Sequence, residues 1–190
     1  TKGSVKVDGV DVRDMTQKEL RDKLGYVPQK GVLFSGTIDS NIRYGKPEIT
    51  DAQVKEAAEV AQATEFIDTK PEKYESPVSQ GGTNVSGGQK QRLSIARAIA
   101  KEPEIFIFDD SFSALDFKTD SQLRKALKEY TKDATTVIVA QRISTILGAD
   151  QIIVLDDGHM AGIGTHKELM ANCEVYQQIA RSQLSEEELA

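Results

Sequence analysis

The sequence predicts an α/β fold built on a mostly parallel sheet, and two kinds of segment predict it. Residues 105–108 form the continuous apolar run Ile-Phe-Ile-Phe, as expected of a strand covered on both faces, and residues 135–140 form a second, β-rich apolar run. Helical stretches at residues 89–100 and 118–130 alternate with these runs. Alternation of helices and strands is typical of parallel sheets.

An antiparallel β edge is predicted at the start of the chain. Residues 3–12 alternate apolar and polar side chains and turn at Asp8-Gly9, which predicts a half-exposed hairpin. Residues 24–29 then predict a short strand that ends in a turn at Pro28.

A helical subdomain is predicted at about residues 50–83. Thr50 is a suitable N-cap for a first helix, and a second short helix is predicted around residues 65–67. The apolar face of the first helix comprises Val54, Ala57, Ala58 and Ala61. Prolines and the Gly81-Gly82 pair then make a loop that leads into the next helix, at residues 89–100. The apolar face of that helix comprises Leu93, Ile95, Ala96, Ile99 and Ala100.

The last part of the chain predicts a hairpin and a helix. Residues 151–155 and 160–163 form the hairpin, and Thr165 caps a helix that runs through Met170. His159 and His166 have no acidic or cysteine partner at metal-ligand spacing, so both are predicted to be surface side chains.

Composition limits the class of protein. The 190 residues carry a formal net charge of −6, and we expect them to form a single domain with its own core. No apolar stretch approaches the roughly 20 residues that a membrane helix needs. The basic residues are scattered, so no nucleic-acid partner is expected. Cys173, the only cysteine, excludes an internal disulfide and is predicted to pack as a small apolar side chain.

The run Ser86-Gly87-Gly88-Gln89 carries the strongest indication of chemistry. Two glycines allow a ligand to approach the backbone closely, and the helix that follows offers free amides and a dipole that favour an anion, such as a phosphate. Asp109-Asp110 follows the apolar run at 105–108, so these carboxylates stand at the carboxyl end of a strand, where open α/β sheets bind ligands.

These motifs, followed by Ser113-Ala114-Leu115-Asp116, occur in an order and at a spacing that resemble the nucleotide-binding domain of an ABC transporter. The resemblance runs from Gly3 to about Gln178. It implies a P-loop NTPase-like fold, ATP and Mg²⁺ as cofactors, a second nucleotide-binding domain, and the transmembrane domains of an exporter as partners. It also implies a soluble domain at the cytoplasmic face of the cell membrane, coupling ATP binding and hydrolysis to transport.

The resemblance assigns roles residue by residue. Asp110 and Gln141 take the catalytic positions, and Gln29 and Asp109 take those that hold Mg²⁺. The residues assigned to ATP binding are Gln29, Ser86, Gly87, Gly88, Gln89 and Asp109. Residues 32–42, followed by Tyr44, resemble the segment that receives a coupling helix of the membrane domain. Leu33 and Phe34 could equally be tucked into the domain's own core, and that alternative stays open.

Four departures from the family pattern shape the functional prediction. No Gly-x-x-x-x-Gly-Lys-Ser/Thr phosphate loop occurs in the 190 residues, so we expect the chain to begin part-way through a domain. Asp110 stands where the family has a catalytic glutamate, Gln141 where it has a histidine, and Gln80 where exporters have an acidic residue.

The Ser86–Gln89 run, which resembles the family's signature motif, is in contrast intact. This asymmetry predicts the degenerate-site half of a heterodimeric exporter, which donates its signature to a partner's site. The alternatives are the hydrolysing half of a homodimer and a binding or regulatory module that does not transport.

Overall fold

The computed structural model describes residues 2–185 and divides into two compact units, Thr1–Val139 and Ala140–Ala190. The strands of the first unit are β1 (Lys6–Val7), β2 (Val10–Asp11), β3 (Leu24–Val27), β4 (Gly36–Thr37), β5 (Pro77–Val78), β6 (Ile105–Asp109) and β7 (Thr135–Val139). Its α-helices are α1 (Gln17–Lys23), α2 (Ile38–Ile42), α3 (Asp51–Val60), α4 (Thr64–Asp68), α5 (Gly87–Ala100) and α6 (Phe117–Tyr130). The second unit contains α7 (Ile143–Ile146), β8 (Ile152–Asp156), β9 (His159–Gly164), α8 (His166–Asn172) and α9 (Glu174–Gln183). That the whole chain acts as a single domain stays a prediction.

The central sheet of the first unit is parallel, as predicted. Its strand order is β3-β6-β7, so the 105–108 run lies in the middle strand, with Gly25 opposite Phe106 and Phe106 opposite Thr136. The N-terminal β1-β2 hairpin is antiparallel and turns at Asp8 and Gly9, as predicted. The mixed α/β architecture expected from the sequence is therefore confirmed.

The two faces of the sheet are not equally covered, which corrects the expectation of burial on both. Val27, Phe106 and Phe108 share the buried face. On the opposite face, Tyr26 is 55% exposed and Val137 is 47% exposed. The apolar run cannot distinguish these outcomes because successive side chains point to opposite faces whatever covers them.

The predicted helical region exists and contains one short strand. Thr50 caps α3 with a capping box, in which Gln53 reaches back to the Thr50 amide, and the predicted apolar face of α3 is buried. Between two short 3-10 turns, β5 pairs antiparallel with β4. Residues 50–83 are therefore tied to residues 36–37 by a strand pairing that the sequence pattern did not predict.

Helix α5 forms the centre of the first core. It begins at Gly87, two residues before the predicted start at 89, because the Ser86 side chain accepts a hydrogen bond from the Gln89 amide and caps it. Its predicted apolar face is entirely buried. Helix α5 therefore joins the sheet to the helical region, and the Ser86–Gln89 run lies at its start.

The second unit has its own core beneath the predicted hairpin β8-β9. Ile152, Val154, Leu169 and Tyr176 are buried there, together with Cys173, as expected of a small apolar side chain. Helix α9 was not identified from the sequence, although Tyr176 and Ala180 have helical spacing. His166 is half-buried, contrary to expectation, and its Nδ1 lies 2.8 Å from the Tyr176 hydroxyl.

Candidate functional site

Three of the predicted site residues meet at the carboxyl end of β6. Asp109 is the last residue of that strand, and Asp110 follows it. The Gln29 amide nitrogen Nε2 donates to Asp110 Oδ2 at 3.0 Å. Gln29 comes two residues after β3, so the parallel pairing of β3 with β6 brings Gln29 to the carboxylates.

Asp110 has an unusual backbone conformation. Its φ is 44°, in the left-handed region that few residues other than glycine adopt, although aspartate tolerates it better than most. Its amide donates to the Val139 carbonyl at 2.9 Å, and its carbonyl accepts from Ser113 Oγ at 3.0 Å. These backbone contacts hold the carboxylate at the end of the strand, and strained residues of this kind often occur at functional sites.

Tyr26 is a further member of this cluster that sequence reasoning missed. Its hydroxyl donates to Asp109 Oδ2 at 3.1 Å. This hydrogen bond, together with partial burial and the Asp109 charge, raises the pKa of the Tyr26 phenol above its usual range. Tyr26 is paired with Ile107 in the sheet register, two residues before Asp109, so both side chains lie on the same face. The alternation of side chains along the strands could have placed Tyr26 beside Asp109, but only once the pairing of β3 with β6 was known.

The loop that carries Gln29 is held by α5. Gln91 Nε2 donates to the Pro28 carbonyl at 3.2 Å, and Gln91 Oε1 accepts from the Gly31 amide at 3.1 Å. A Cβ at Gly31 would lie 2.8 Å from Ser94 Oγ and 3.0 Å from the Lys90 carbonyl, so glycine allows the close approach of the loop to the helix. The buried Gln91 side chain therefore connects the Gln29 loop to the helix that begins at Ser86.

The Ser86–Gln89 run forms a second cluster at the start of α5. Ser86 and Gln89 bond to each other reciprocally, at 3.2 Å from the Gln89 amide to Ser86 Oγ and at 3.1 Å from the Ser86 amide to Gln89 Oε1. Gly87 is exposed, and a Cβ built on it would meet nothing within 4 Å. At Gly88 the same atom would lie 3.4 Å from the Ala114 carbonyl. Packing within the domain therefore does not explain why position 87 is a glycine.

Gln141 lies in the second unit, on an exposed turn before α7. Gln183 in α9 bonds to both sides of this turn: its Nε2 donates to the Gln141 carbonyl and its Oε1 accepts from the Ile143 amide, each at 2.9 Å. The second unit thus fixes the backbone of the turn.

Residues 32–44, which we call the 32–44 segment, include both buried and exposed side chains. Leu33 is buried in the first core, whereas Val32 is 51% exposed and Tyr44 is 55% exposed. Phe34 is half-buried and stacks on Tyr44, with ring centroids 4.0 Å apart. Leu33 is therefore tucked into the domain's own core, which is one of the two alternatives left open by the sequence. The side chains of Val32, Phe34 and Tyr44 remain at least partly exposed, and we call these three the apolar surface of the segment.

Paired carboxylates at the end of a central parallel strand and an open, glycine-rich helix start are both features that α/β domains use to bind phosphate-containing ligands. The family model described as ABC transporter matches residues 1–113. The chain belongs to the ABC transporter family.

Relatives and solved structures agree with this assignment. An uncharacterised ABC transporter ATP-binding protein of Mycobacterium tuberculosis is 47% identical over 186 residues, which is 96% of this chain and 32% of the relative. A putative multidrug export ATP-binding/permease protein of Staphylococcus aureus is 44% identical over 179 residues, 94% of this chain and 31% of the relative.

A structure of a bacterial Atm1-family ABC exporter with ATP bound matches with a TM-score of 0.93 and 39% identity, over 97% of this chain and 33% of that one. The chain thus spans about a third of the length of the relatives it matches. Within residues 2–185, no helix is both long and apolar enough to cross a bilayer.

Proposed function

We propose that this chain is the ATP-binding part of an ABC exporter, that its own nucleotide site is weak, and that it donates its signature run to a partner's site. One contrast carries the proposal. The start of α5, which carries the signature run, is capped and open to a ligand at Gly87. Asp110, in contrast, is an aspartate at the position where the family has its catalytic glutamate. The proposal places the domain at the cytoplasmic face of the membrane.

The residues present fit ATP with Mg²⁺. Asp109 and Asp110 are half-buried and, with the Gln29 amide, supply the oxygen ligands that Mg²⁺ prefers. The first turn of α5, which is exposed at Gly87, supplies backbone amides for a phosphate. When bound, the ion would neutralise charge on the phosphoryl oxygens. Asp109 and Gln29 would hold it, and Ser86, Gly87, Gly88 and Gln89 would bind the nucleotide of the facing domain.

Asp110 and Gln141 are the proposed catalytic residues and the reason for a slow site. Aspartate is one methylene shorter than glutamate, and a misplacement of about 1 Å can lower a rate on the order of a hundredfold. The Asp110 carboxylate also accepts a hydrogen bond from the Gln29 side chain, which ties it to the loop after β3. Gln141 can donate a hydrogen bond but, unlike histidine, cannot exchange a proton near neutral pH.

The proposed partners follow from the same asymmetry. A domain that keeps its signature but has weak catalytic residues serves the site opposite it, which predicts a second, different nucleotide-binding chain. The surface formed by Val32, Phe34 and Tyr44 is the proposed contact with the exporter's transmembrane domains. Exposed aromatic side chains of this kind are common at protein interfaces.

Native mass spectrometry of the full-length protein, tagged in its own organism and extracted from the membrane, tests this proposal together with its MgATP hydrolysis. We expect one copy of this chain with one copy of a different ABC chain, in a complex that hydrolyses ATP. Two identical copies that hydrolyse ATP would favour the homodimer alternative. A protein without membrane domains that does not hydrolyse ATP would favour the regulatory module.

A further inference from the structure

Arg97 in α5 is bonded to the 32–44 segment by all three nitrogens of its guanidinium. Nε donates to the Asn41 carbonyl at 2.8 Å, Nη1 to the Val32 carbonyl at 2.9 Å, and Nη2 to Asn41 Oδ1 at 3.0 Å. One side chain therefore fixes both ends of a ten-residue stretch of backbone, at residues 32 and 41. A planar guanidinium can form this fork, and a lysine ammonium cannot.

The same guanidinium lies against the two aromatic rings of the segment. Its Cζ is 5.2 Å from the centroid of the Phe34 ring and 5.5 Å from that of the Tyr44 ring. Both distances are within the range of cation–π attraction. Because the rings stack on each other, Arg97 sets the position of the Phe34–Tyr44 pair, which is part of the apolar surface.

Asn41 completes the connection. It is 1% exposed; its Nδ2 donates to the carbonyls of Phe34 and Thr37 at 2.9 Å, and its Oδ1 accepts from the Phe34 amide at 2.9 Å. The segment is thus closed on itself by Asn41, and Arg97 bonds to Asn41 through both backbone and side chain. A displacement of α5 must be passed to Phe34 or must break these bonds.

The contact is not an ordinary ion pair. Within residues 2–185, the recorded salt bridges join Arg97 to no carboxylate. Burial lowers the pKa of the Arg97 guanidinium, which nonetheless stays charged at neutral pH because arginine is so basic. Its charge is balanced by oriented carbonyl oxygens and ring faces, which makes the contact depend on geometry more than on charge.

We propose that Arg97 is a positioning residue that makes the apolar surface of the 32–44 segment move with α5, whose first turn is the signature run. The proposal rests on the function proposed above for these two regions. A displacement of α5 caused by nucleotide binding at Ser86–Gln89 would then move Val32, Phe34 and Tyr44, because the helix is rigid and the Arg97 side chain links it to them. Gln91, nine residues before the end of α5, holds the Gln29 loop in the same way.

Hydrogen exchange on the full-length complex, with and without MgATP, tests the inference in wild type, Arg97→Lys and the matched variant Arg92→Lys. Arg92 also lies on α5, stacks on Phe66 and donates to a backbone carbonyl, but that carbonyl belongs to Gln62. In Arg97→Lys without nucleotide, we expect exchange at residues 32–44 to rise about tenfold or more, as when charge-assisted hydrogen bonds that close a local unit are lost. With MgATP, residues 86–93 should respond as in wild type, and residues 32–44 should no longer respond.

Arg92→Lys should raise exchange near residues 62–66 and leave residues 32–44 at the wild-type rate. The inference is overturned if Arg97→Lys leaves residues 32–44 unchanged, if Arg92→Lys affects them equally, or if their response to MgATP survives in Arg97→Lys. Should Arg97→Lys fail to fold, Phe34→Leu replaces it, because it removes one ring beneath the guanidinium and leaves α5 intact. A rise in exchange confined to residues 32–44 then supports the inference, and no change overturns it.

The design separates this inference from the proposed function. Wild-type protein in which MgATP leaves residues 86–93 unaffected contradicts the proposed function and the coupling together. The exchange measured without nucleotide still decides whether Arg97 holds the segment.

Discussion

The side-chain amide of Gln29 donates through Nε2 to Asp110 Oδ2 at 3.0 Å, which joins the loop after β3 to the end of β6. The two residues are 81 positions apart in the sequence, and the β3-β6 pairing brings them together. If the site that contains them turns over slowly, removing this bond has a limited effect on the activity of the whole complex.

Gln29→Leu tests that expectation, because leucine is close in size and cannot donate. The Gln29 side chain is exposed, so the free energy of unfolding should change by less than about 1 kcal/mol. Steady-state ATPase of the full-length complex should fall by less than about threefold. Gln122→Leu, an exposed glutamine in α6, controls for the added surface leucine. A tenfold loss in Gln29→Leu alone would place the main chemistry beside Asp110.

Gly87→Ala tests whether the glycine serves a ligand or the fold. A Cβ at this position meets nothing within 4 Å, and alanine suits a helix better than glycine does. The midpoint temperature of thermal unfolding should therefore be unchanged or slightly higher. The ATPase rate of the complex should fall on the order of tenfold or more, because the methyl group blocks close approach of a phosphate. Gln17→Ala, at the corresponding first residue of α1, should change neither. Full activity in Gly87→Ala would show that no ligand approaches there.

Much of the fold could be predicted because it depends on patterns among residues that are close in the sequence. The face of α5, the cap at Thr50 and the hairpin at Asp8 need only the spacing of nearby residues. The β4-β5 pairing, the exposed face around Val137 and the Tyr26–Asp109 bond depend on partners distant in sequence, and no local pattern specifies them. For the same reason the motifs identified Gln29 and Asp110 separately, whereas their hydrogen bond and the roles of Gln91 and Arg97 required the structure.

Tyr26 should titrate at a higher pH than an ordinary tyrosine. Its bond to Asp109 raises the pKa of the phenol above the usual value of about 10. A pKa raised by folding contributes stability below the unfolded value, and that contribution is lost as pH rises through the folded value. The effect on unfolding should be small, because Tyr26 is 55% exposed and solvent screens the charge.

Ultraviolet difference titration of wild type against Tyr26→Phe measures this directly. The phenol that Tyr26→Phe lacks should ionise above pH 10, and in Asp109→Asn the same phenol should ionise closer to the ordinary value. Ionisation of the Tyr26 phenol at or below pH 10 in wild type would mean that it does not donate to Asp109 in solution.

The central claim is that the signature of this chain serves the working site while its own carboxylate does not. Steady-state ATPase of Ser86→Arg and Asp110→Asn, each in the same full-length complex, compares the two most directly. We predict that Ser86→Arg lowers turnover on the order of a hundredfold, because it removes a phosphate-binding position and blocks Gly87. Asp110→Asn, which keeps the tolerance for a positive φ, should lower turnover less than about threefold. A greater loss in Asp110→Asn than in Ser86→Arg would contradict the claim and place the main catalytic site in this chain.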